Sequence, residues 1–456
     1  MATGEGEDAP PSSTTPTQRA RRLLRGLAAL LLVSVGAAAF AMAFRAALQL
    51  VYTKLYGQRD VVAAFTHLSP AAKAILPAIG ALLAGGIARI AKQGQGVGDV
   101  MEAVVLGRTR LAVRPTLWKA LGSWVAIANG GSVGREGPLI QFGASLGSAV
   151  ASTFGISGER ARALIAVGTA AGFAAAYNTP LAAVLFVLEV VTGVVAIEAL
   201  CMVLVGTAIS TTLVRATVGG GPIYGQRIFT ISTTNELLAH AILGVLAAIV
   251  GQAFMRMLAA GEAAFERTNV SQPWRAALGG ALVGLLAIGL PEVVGNGYEP
   301  LNGVLDGKYA IHLVAVLIVA KALATTASVS SGSPGGVFTP SLLIGGGLGL
   351  LWGHAVVGDA HAPGSEGSFA LVGMAAMMAA TTHAPLMASV LVFELSGDYA
   401  IVLPLVLATA IATLLSRRMR RDSIYTAELR RRGVEWEVTL GGRLVRREPE
   451  DGDARS

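Results

Sequence analysis

The sequence predicts an all-α, polytopic membrane protein made of two related halves. Three observations carry this. Composition is the first: 53% of the 456 residues are hydrophobic, only 14% are charged, and mean hydropathy is +0.62, values of a chain that lives in lipid. The second is a recurrence of apolar windows cut by some of the 57 glycines and 18 prolines. Such interruptions are tolerated at membrane depth where the freed backbone is buried or lines a cavity. The third is internal repetition. Gly134-Arg135-Glu136-Gly137-Pro138 is matched by Gly336-Val337-Phe338-Thr339-Pro340, an offset of 202 (340 − 138), and each copy is followed by a glycine at the same distance.

Residues 1–17 are acidic and then rich in Pro, Ser and Thr, and read as a disordered cytoplasmic tail. Arginines follow them, with no short apolar region and cleavage site, so the tail does not resemble a signal peptide. The first membrane repeat spans 18–217, with helices expected near 26–56, 70–92, 115–130, 138–154, 160–176, from Pro180 to beyond Glu189, and 196–215. Proline at 180 occupies the first-turn position that costs no needed donor. Residues 218–234, with Gly219-Gly220-Gly221-Pro222, read as an inter-repeat linker.

The second repeat spans 235–433. Its helices are expected near 235–267, 273–290, 311–328, 338–357, 366–380, 385–396 and 399–416, and it ends in an arginine-rich polar helix carrying Tyr425. Residues 434–456 read as a short cytoplasmic tail, too small for a regulatory domain. The stretch Gly168–Val190 aligns without gaps on Gly373–Leu395, an offset of 205 (385 − 180). The shared Pro-Leu pair and the shared acids Glu189 and Glu394 carry that match. Repeats whose broken helices meet near the midplane are a transporter and channel signature.

The net charge of +7 is no nucleic-acid signal, because the arginines crowd at the two ends: Arg19, Arg21, Arg22 and Arg25, then Arg417, Arg418, Arg420 and Arg421. Clusters flanking the first and last apolar runs fit cytoplasmic ends in a multi-pass inner-membrane protein. Cys201 stands alone, so there is no intramolecular disulfide, and the six histidines show no metal spacing. The phosphate-binding loop of ATP-driven pumps is absent, so no nucleotide partner is expected. No enzyme signature stands out.

Helix starts are the chemistry this composition offers. The first turn of a helix carries unsatisfied N–H groups and about half a positive charge, and glycine lets an anion approach the backbone closely. Gly94–Gly98, Gly134–Pro138 and Gly335–Pro340 are three such places. Dipoles alone contribute about 0.3–2 kcal/mol each, so amide bonds to the ion, roughly 1.5–3 kcal/mol each, must add to them. The reading is an anion site with Glu136 at its gate.

Taken together, Gly-Arg-Glu-Gly-Pro, then Tyr177-Asn-Thr-Pro-Leu-Ala with Phe-Val-Leu-Glu189, then Ser331-Gly-Ser-Pro-Gly-Gly-Val-Phe338-Thr-Pro, and finally Asp422-Ser-Ile-Tyr425 strongly resemble the CLC family. The resemblance runs from about residue 25 to 433 and looks closest to the short bacterial branch described as voltage-gated CLC-type chloride channels. It implies an inverted-repeat architecture of broken, tilted helices and a homodimer with one pore per subunit. The CBS domain pair of some members is absent, and no cofactor is implied beyond bound chloride.

Carried over by residue, the resemblance makes Glu136 the gate. It assigns anion binding to Gly94, Gln95, Gly96, Gly137, the Val337 and Phe338 amides, and the Tyr425 hydroxyl. Arg135 would shape the potential along the path. Two departures bear on function. Gln95 and Gly98 replace the family's serine and proline, which affects the inner site's anion preference. Proton-exchanging members commonly carry two successive acids where this chain has Glu189-Val190. Valine binds no proton, which favours a chloride channel over chloride/proton exchange.

Plainer readings exist for each residue. Glu136 as a helix-start carboxylate, Tyr425 as an interfacial anchor, Glu189 and Glu394 as structural hydrogen-bond acceptors, and Lys321 as a snorkelling or paired charge are all physically ordinary.

Overall fold

The computed structural model describes residues 15–91, 96–192, 197–221, 223–225, 234–357, 365–431, 433–439 and 442–447. The first repeat holds α1 (Pro16–Leu55), α2 (Val61–His67), α3 (Pro70–Ile90), α4 (Val97–Leu106), α5 (Val113–Ala128), α6 (Glu136–Thr153), α7 (Gly158–Tyr177), α8 (Pro180–Phe186) and α9 (Ile197–Val218). The second holds α10 (Thr234–Arg267), α11 (Gln272–Gly289), α12 (Tyr298–Leu305), α13 (Ile311–Ser330), α14 (Phe338–Val357), α15 (Ser365–Thr382), α16 (Pro385–Ser396), α17 (Val402–Met419) and α18 (Ile424–Arg431). Among the described residues, six helices are long and apolar enough to cross a membrane.

Local chemistry sets many of these boundaries. Helix α1 begins ten residues before the apolar run, because Pro16 sits at its first position and the Gln18 side chain accepts from the Thr15 amide at 3.2 Å. Asp60 caps α2 by accepting from Ala63 N at 2.8 Å, and Ser69 caps α3 by accepting from Ala72 N at 3.3 Å. Asn178 (φ 56°) and His383 (φ 59°) end α7 and α15 in the left-handed region, at equivalent places in the two repeats.

The duplication extends through the fold. Helices α3, α4, α5 and α6 recur as α11, α12, α13 and α14, and α7, α8 and α9 recur as α15, α16 and α17. Equivalent pairs also pack alike: α6 lies on α7 as α14 lies on α15, and α7 on α9 as α15 on α17. At the crossing of α6 and α7 there is room for no side chain. A Cβ on Gly143 would strike the Gly168 carbonyl, and one on Gly168 would strike the Gly143 carbonyl. Gly345 and Gly373 stand in the same mutual relation between α14 and α15. Small residues bring helix backbones together in lipid, where dispersion and close packing replace the hydrophobic drive.

Three features depart from the helix pattern expected of the sequence. Helices α2, α4 and α12 are extra short elements around the glycine breaks. Helix α8 passes into a π-helical segment, Val187–Thr192, that contains Glu189 and Val190. The region expected to be a plain tail forms an antiparallel hairpin, β1 (Val434–Thr439) and β2 (Gly442–Arg447), with Val434 opposite Arg447.

Candidate anion-binding site

The two repeats touch backbone to backbone at the duplicated glycine motif. Gly134 N donates to Gly336 O at 2.6 Å and Gly336 N donates to Gly134 O at 2.9 Å, an antiparallel bridge. This bridge holds the starts of α6 and α14 against each other. The preceding loop is fastened to α13: Ser132 N donates to Ser328 Oγ at 3.2 Å, and the Ser132 and Thr325 hydroxyls lie 3.1 Å apart.

Glu136, the first residue of α6, turns its carboxylate onto the start of α14. Oε1 accepts from Phe338 N at 2.9 Å and from Thr339 N at 3.3 Å, while Oε2 accepts from Thr339 Oγ1 at 3.1 Å. Only 2% of the residue is exposed. The carboxylate oxygens therefore stand where a free anion would meet the amides of a helix N-terminus. The glycines around it are required by space. A Cβ on either Gly134 or Gly336 would collide with the Glu136 carboxylate. Gly137 is more open, since a Cβ there would meet only Gly336 N, at 3.9 Å.

The donors to the carboxylate are the Phe338 and Thr339 amides and the Thr339 hydroxyl; the Val337 and Phe338 amides were expected as ligands of a chloride ion, a separate role. A carboxylate reaching across from α6 meets the first turn inside α14 rather than the loop before it. Thr339 and its partner Tyr177, whose hydroxyls lie 2.8 Å apart, were not singled out from sequence. Their signal was available: Thr339 immediately precedes Pro340, and Tyr177 immediately precedes the Asn178 cap.

A chain of aromatic contacts runs from the helix start that holds the Glu136 carboxylate to Tyr425. Phe338, 3% exposed, meets Phe173 edge-on at 5.4 Å and Tyr177 at 5.3 Å. Phe173 stacks on Phe186 at 4.8 Å, and Phe186 meets Tyr425 edge-on at 6.0 Å. Tyr425 is thus brought to the same column as Glu136, half-buried at its other end. Gly94 and Gln95 lie outside the described residues. Gly96 N donates to Asp99 Oδ2 at 2.5 Å, so that amide caps its own helix α4.

Arg135, next to Glu136 in sequence, lines a cavity of about 480 Å³ together with Arg45, Arg59, Asp60 and Glu299. Glu189 is not in the column with Glu136. It accepts from Met387 N at 2.7 Å and Leu386 N at 3.2 Å, capping α16, and Val190 beside it is buried. Lys321 does not snorkel, and the Glu299 carboxylate lies within its electrostatic reach. It is fully buried, and its Nζ donates to the carbonyls of Val293 and Gly295, each at 2.8 Å.

A family model described as voltage gated chloride channel matches residues 77–417. The chain belongs to the CLC family. Among its relatives, a protein named for a ClcB-like chloride channel in Ralstonia nicotianae is 38% identical over 88% of this chain and 95% of that protein. The voltage-gated ClC-type chloride channel ClcB of Salmonella typhimurium is 34% identical over 88% of this chain and 98% of its own. Among solved structures, a slow cyanobacterial Cl⁻/H⁺ antiporter superposes with a TM-score of 0.79 at 24% identity, covering 90% of this chain and 98% of that one. A CLC-type fluoride/proton antiporter superposes with a TM-score of 0.74, also at 24% identity, over 90% of this chain and 98% of that one. These structures share the overall fold of this chain, in which the two repeats meet antiparallel at Gly134 and Gly336. The chain is accordingly a multi-pass membrane protein of a family of chloride channels and transporters.

Proposed function

We propose that the protein is a chloride channel in which the Glu136 carboxylate is the gate, sensitive to voltage and to outside pH. The observation that carries this is the seat of Glu136 on the Phe338 and Thr339 amides and the Thr339 hydroxyl. An anion can bind those groups only when the carboxylate leaves or loses its charge. Each such bond is worth roughly 1.5–3 kcal/mol, so carboxylate and chloride compete on similar terms. Acid on the gate side neutralises Glu136 and raises conduction. Tyr425 marks the inner end of the path, and Gly94, Gln95, Gly96, Gly137 and Val337 complete its anion-binding lining. Arg135 draws anions toward it. The protein works as a homodimer with one pore per subunit in the bacterial inner membrane, both termini cytoplasmic, as an electrical shunt for proton export in acid resistance.

Val190 supports conduction without protons, because an apolar side chain stands where exchangers commonly carry an acid. Coupled chloride/proton exchange is the second reading. The Tyr177 and Thr339 hydroxyls leading to the Glu136 carboxylate favour it, since they bring exchangeable protons to the gate.

The test is flux from liposomes under combined chloride and proton gradients, with wild type and Glu136→Gln across a pH series. Conduction with no uphill proton movement, and loss of pH dependence in the variant, are expected. Protons driven uphill by chloride would establish the exchanger. A variant with the full wild-type pH response would remove Glu136 as the gate.

A further inference from the structure

We infer that the cavity lined by Arg45, Arg59 and Arg135 is a binding site for a small organic dicarboxylate, whose occupation blocks the anion path. The binding stands on the cavity itself; the block rests on the chloride path proposed above. The three guanidinium groups come from separate places: Arg45 from α1, Arg59 from the connection between α1 and α2, and Arg135 from the N-cap of α6. Arg45 and Arg59 are exposed and Arg135 is half-buried, so a solute from water can reach them. Among the described residues, none of the three has a hydrogen-bond or ion-pair partner.

The other polar groups of the wall are already engaged. Asp60 caps α2, and the Tyr52 hydroxyl donates to Ile127 O at 3.3 Å. The Tyr298 hydroxyl donates to Ile223 O at 2.9 Å, and Asn178 Oδ1 accepts from Arg215 Nε at 3.0 Å. Glu299 has the buried Lys321 within electrostatic reach. The wall is therefore fixed in advance, which lowers the cost of ordering it around a ligand. Its arginines outnumber its acids three to two, and their mutual repulsion is relieved when a dianion sits among them.

Size and shape favour a dicarboxylate over a halide. The cavity of about 480 Å³ falls within the roughly 300–1,000 Å³ of small-molecule sites. A guanidinium is a planar fork that pairs two donors with the two oxygens of a carboxylate, a match that a spherical ion lacks. Arg25 and Arg45 stand 20 residues apart on α1 (45 − 25), about 30 Å, the thickness of the hydrocarbon core. The cavity therefore opens at the face opposite the N-terminal arginines. A dicarboxylate on Arg135 lies at the residue next to Glu136. There it neutralises the charge that draws chloride in and adds negative charge of its own.

The test is calorimetric titration of the purified protein with succinate in chloride-free gluconate buffer, where a monocarboxylate is in excess. Succinate should bind with a dissociation constant of about 1 mM or lower. Arg45→Lys keeps the positive charge and loses the fork, while Arg59→Gln loses both. Each should weaken binding about tenfold, the worth of one bond to a charged group. Thermal unfolding without succinate verifies the fold of each variant. Wild-type affinity in both variants, or no binding by the wild type, overturns the site.

Chloride flux from liposomes with succinate on both sides, at constant ionic strength, reads the block. Succinate at about ten times its dissociation constant fills about nine sites in ten, so wild-type flux should fall about tenfold. Flux that ignores succinate while succinate binds overturns the block. Succinate binding by a protein that passes no chloride overturns the proposed function and leaves the site standing. Chloride flux without succinate binding does the reverse.

Discussion

Glu189 and Glu394 cap one another's counterpart helices across the repeat boundary. Glu189, in the segment following α8, takes the Leu386 and Met387 amides at the start of α16, and Glu394, near the end of α16, takes the Leu181 and Ala182 amides at the start of α8. The exchange ties the two short helices α8 and α16, which also pack on each other, together. Glu394→Ala removes two amide bonds to a carboxylate. Bonds to charged groups are worth roughly 1.5–3 kcal/mol and a lost cap about 0.5–2. Partial exposure of the carboxylate brings the expected loss to about 2 kcal/mol. Denaturation in detergent should show this for each acid singly, with chloride flux per folded molecule preserved. Normal stability with altered flux would make these acids part of the path instead.

The Gly143–Gly168 crossing predicts a reversal of the usual helix preference. Alanine in place of glycine stabilises an open helix position by up to about 1 kcal/mol. At Gly168 the new methyl would enter the Gly143 carbonyl, and overpacking of this kind costs about 1–3 kcal/mol. Gly26, which has nothing within 4 Å of an added Cβ, is the internal control. Thermal unfolding should fall for Gly168→Ala and stay level or rise for Gly26→Ala. Equal shifts would mean that α6 and α7 do not approach this closely.

Much of this was legible because apolar length and Pro/Gly punctuation report membrane helices directly. Pro180 and Pro385 mark the starts of α8 and α16, and the Glu136 motif marks the start of α6. The reciprocal capping of Glu189 and Glu394 was visible as a repeat match but not as a contact, because distance across a repeat is a tertiary fact. Thr339 escaped because its role depends on a side chain arriving from 203 residues away. Helices α2, α4 and α12 escaped because elements of seven to ten residues show too few turns for a periodic signal. The π-helical turn at Val187–Thr192 has no compositional mark at all. Lys321 read as a snorkelling or paired charge; it is buried, with its Nζ on the backbone carbonyls of Val293, Val294 and Gly295, contacts that no sequence pattern marks.

Thr339→Val isolates the hydroxyl's grip on the Glu136 carboxylate, the proposed gate. The hydroxyl bonds Glu136 Oε2 at 3.1 Å and Tyr177 at 2.8 Å, and valine keeps the shape while losing both. The Phe338 and Thr339 amides remain, so the carboxylate still docks but less firmly. A loss of about 1.4 kcal/mol shifts the docked-to-free ratio about tenfold. Chloride flux at neutral pH should therefore rise several-fold, and the remaining stimulation by acid should shrink. Unchanged flux would show that the hydroxyl does not hold the gate.

Arg45 and Arg135 line the same cavity beside Glu136 and lie within electrostatic reach of each other. Asp60 and Glu299 line it too, so three arginines with Arg59 face two acids there. A unit charge about 10 Å from an ion in water is worth roughly 0.4 kcal/mol, about a twofold change in local anion concentration. Arg45→Gln should therefore lower chloride flux about twofold at low ionic strength. The loss should fade as an impermeant salt is raised, because screening shortens from about 10 Å at 0.1 M to about 3 Å at 1 M. Arg135→Gln should lose more, because its side chain belongs to the residue next to Glu136. Flux measured across a series of gluconate concentrations separates this long-range attraction from direct coordination. A deficit that persists at 1 M salt would mean that the arginine contacts the ion itself.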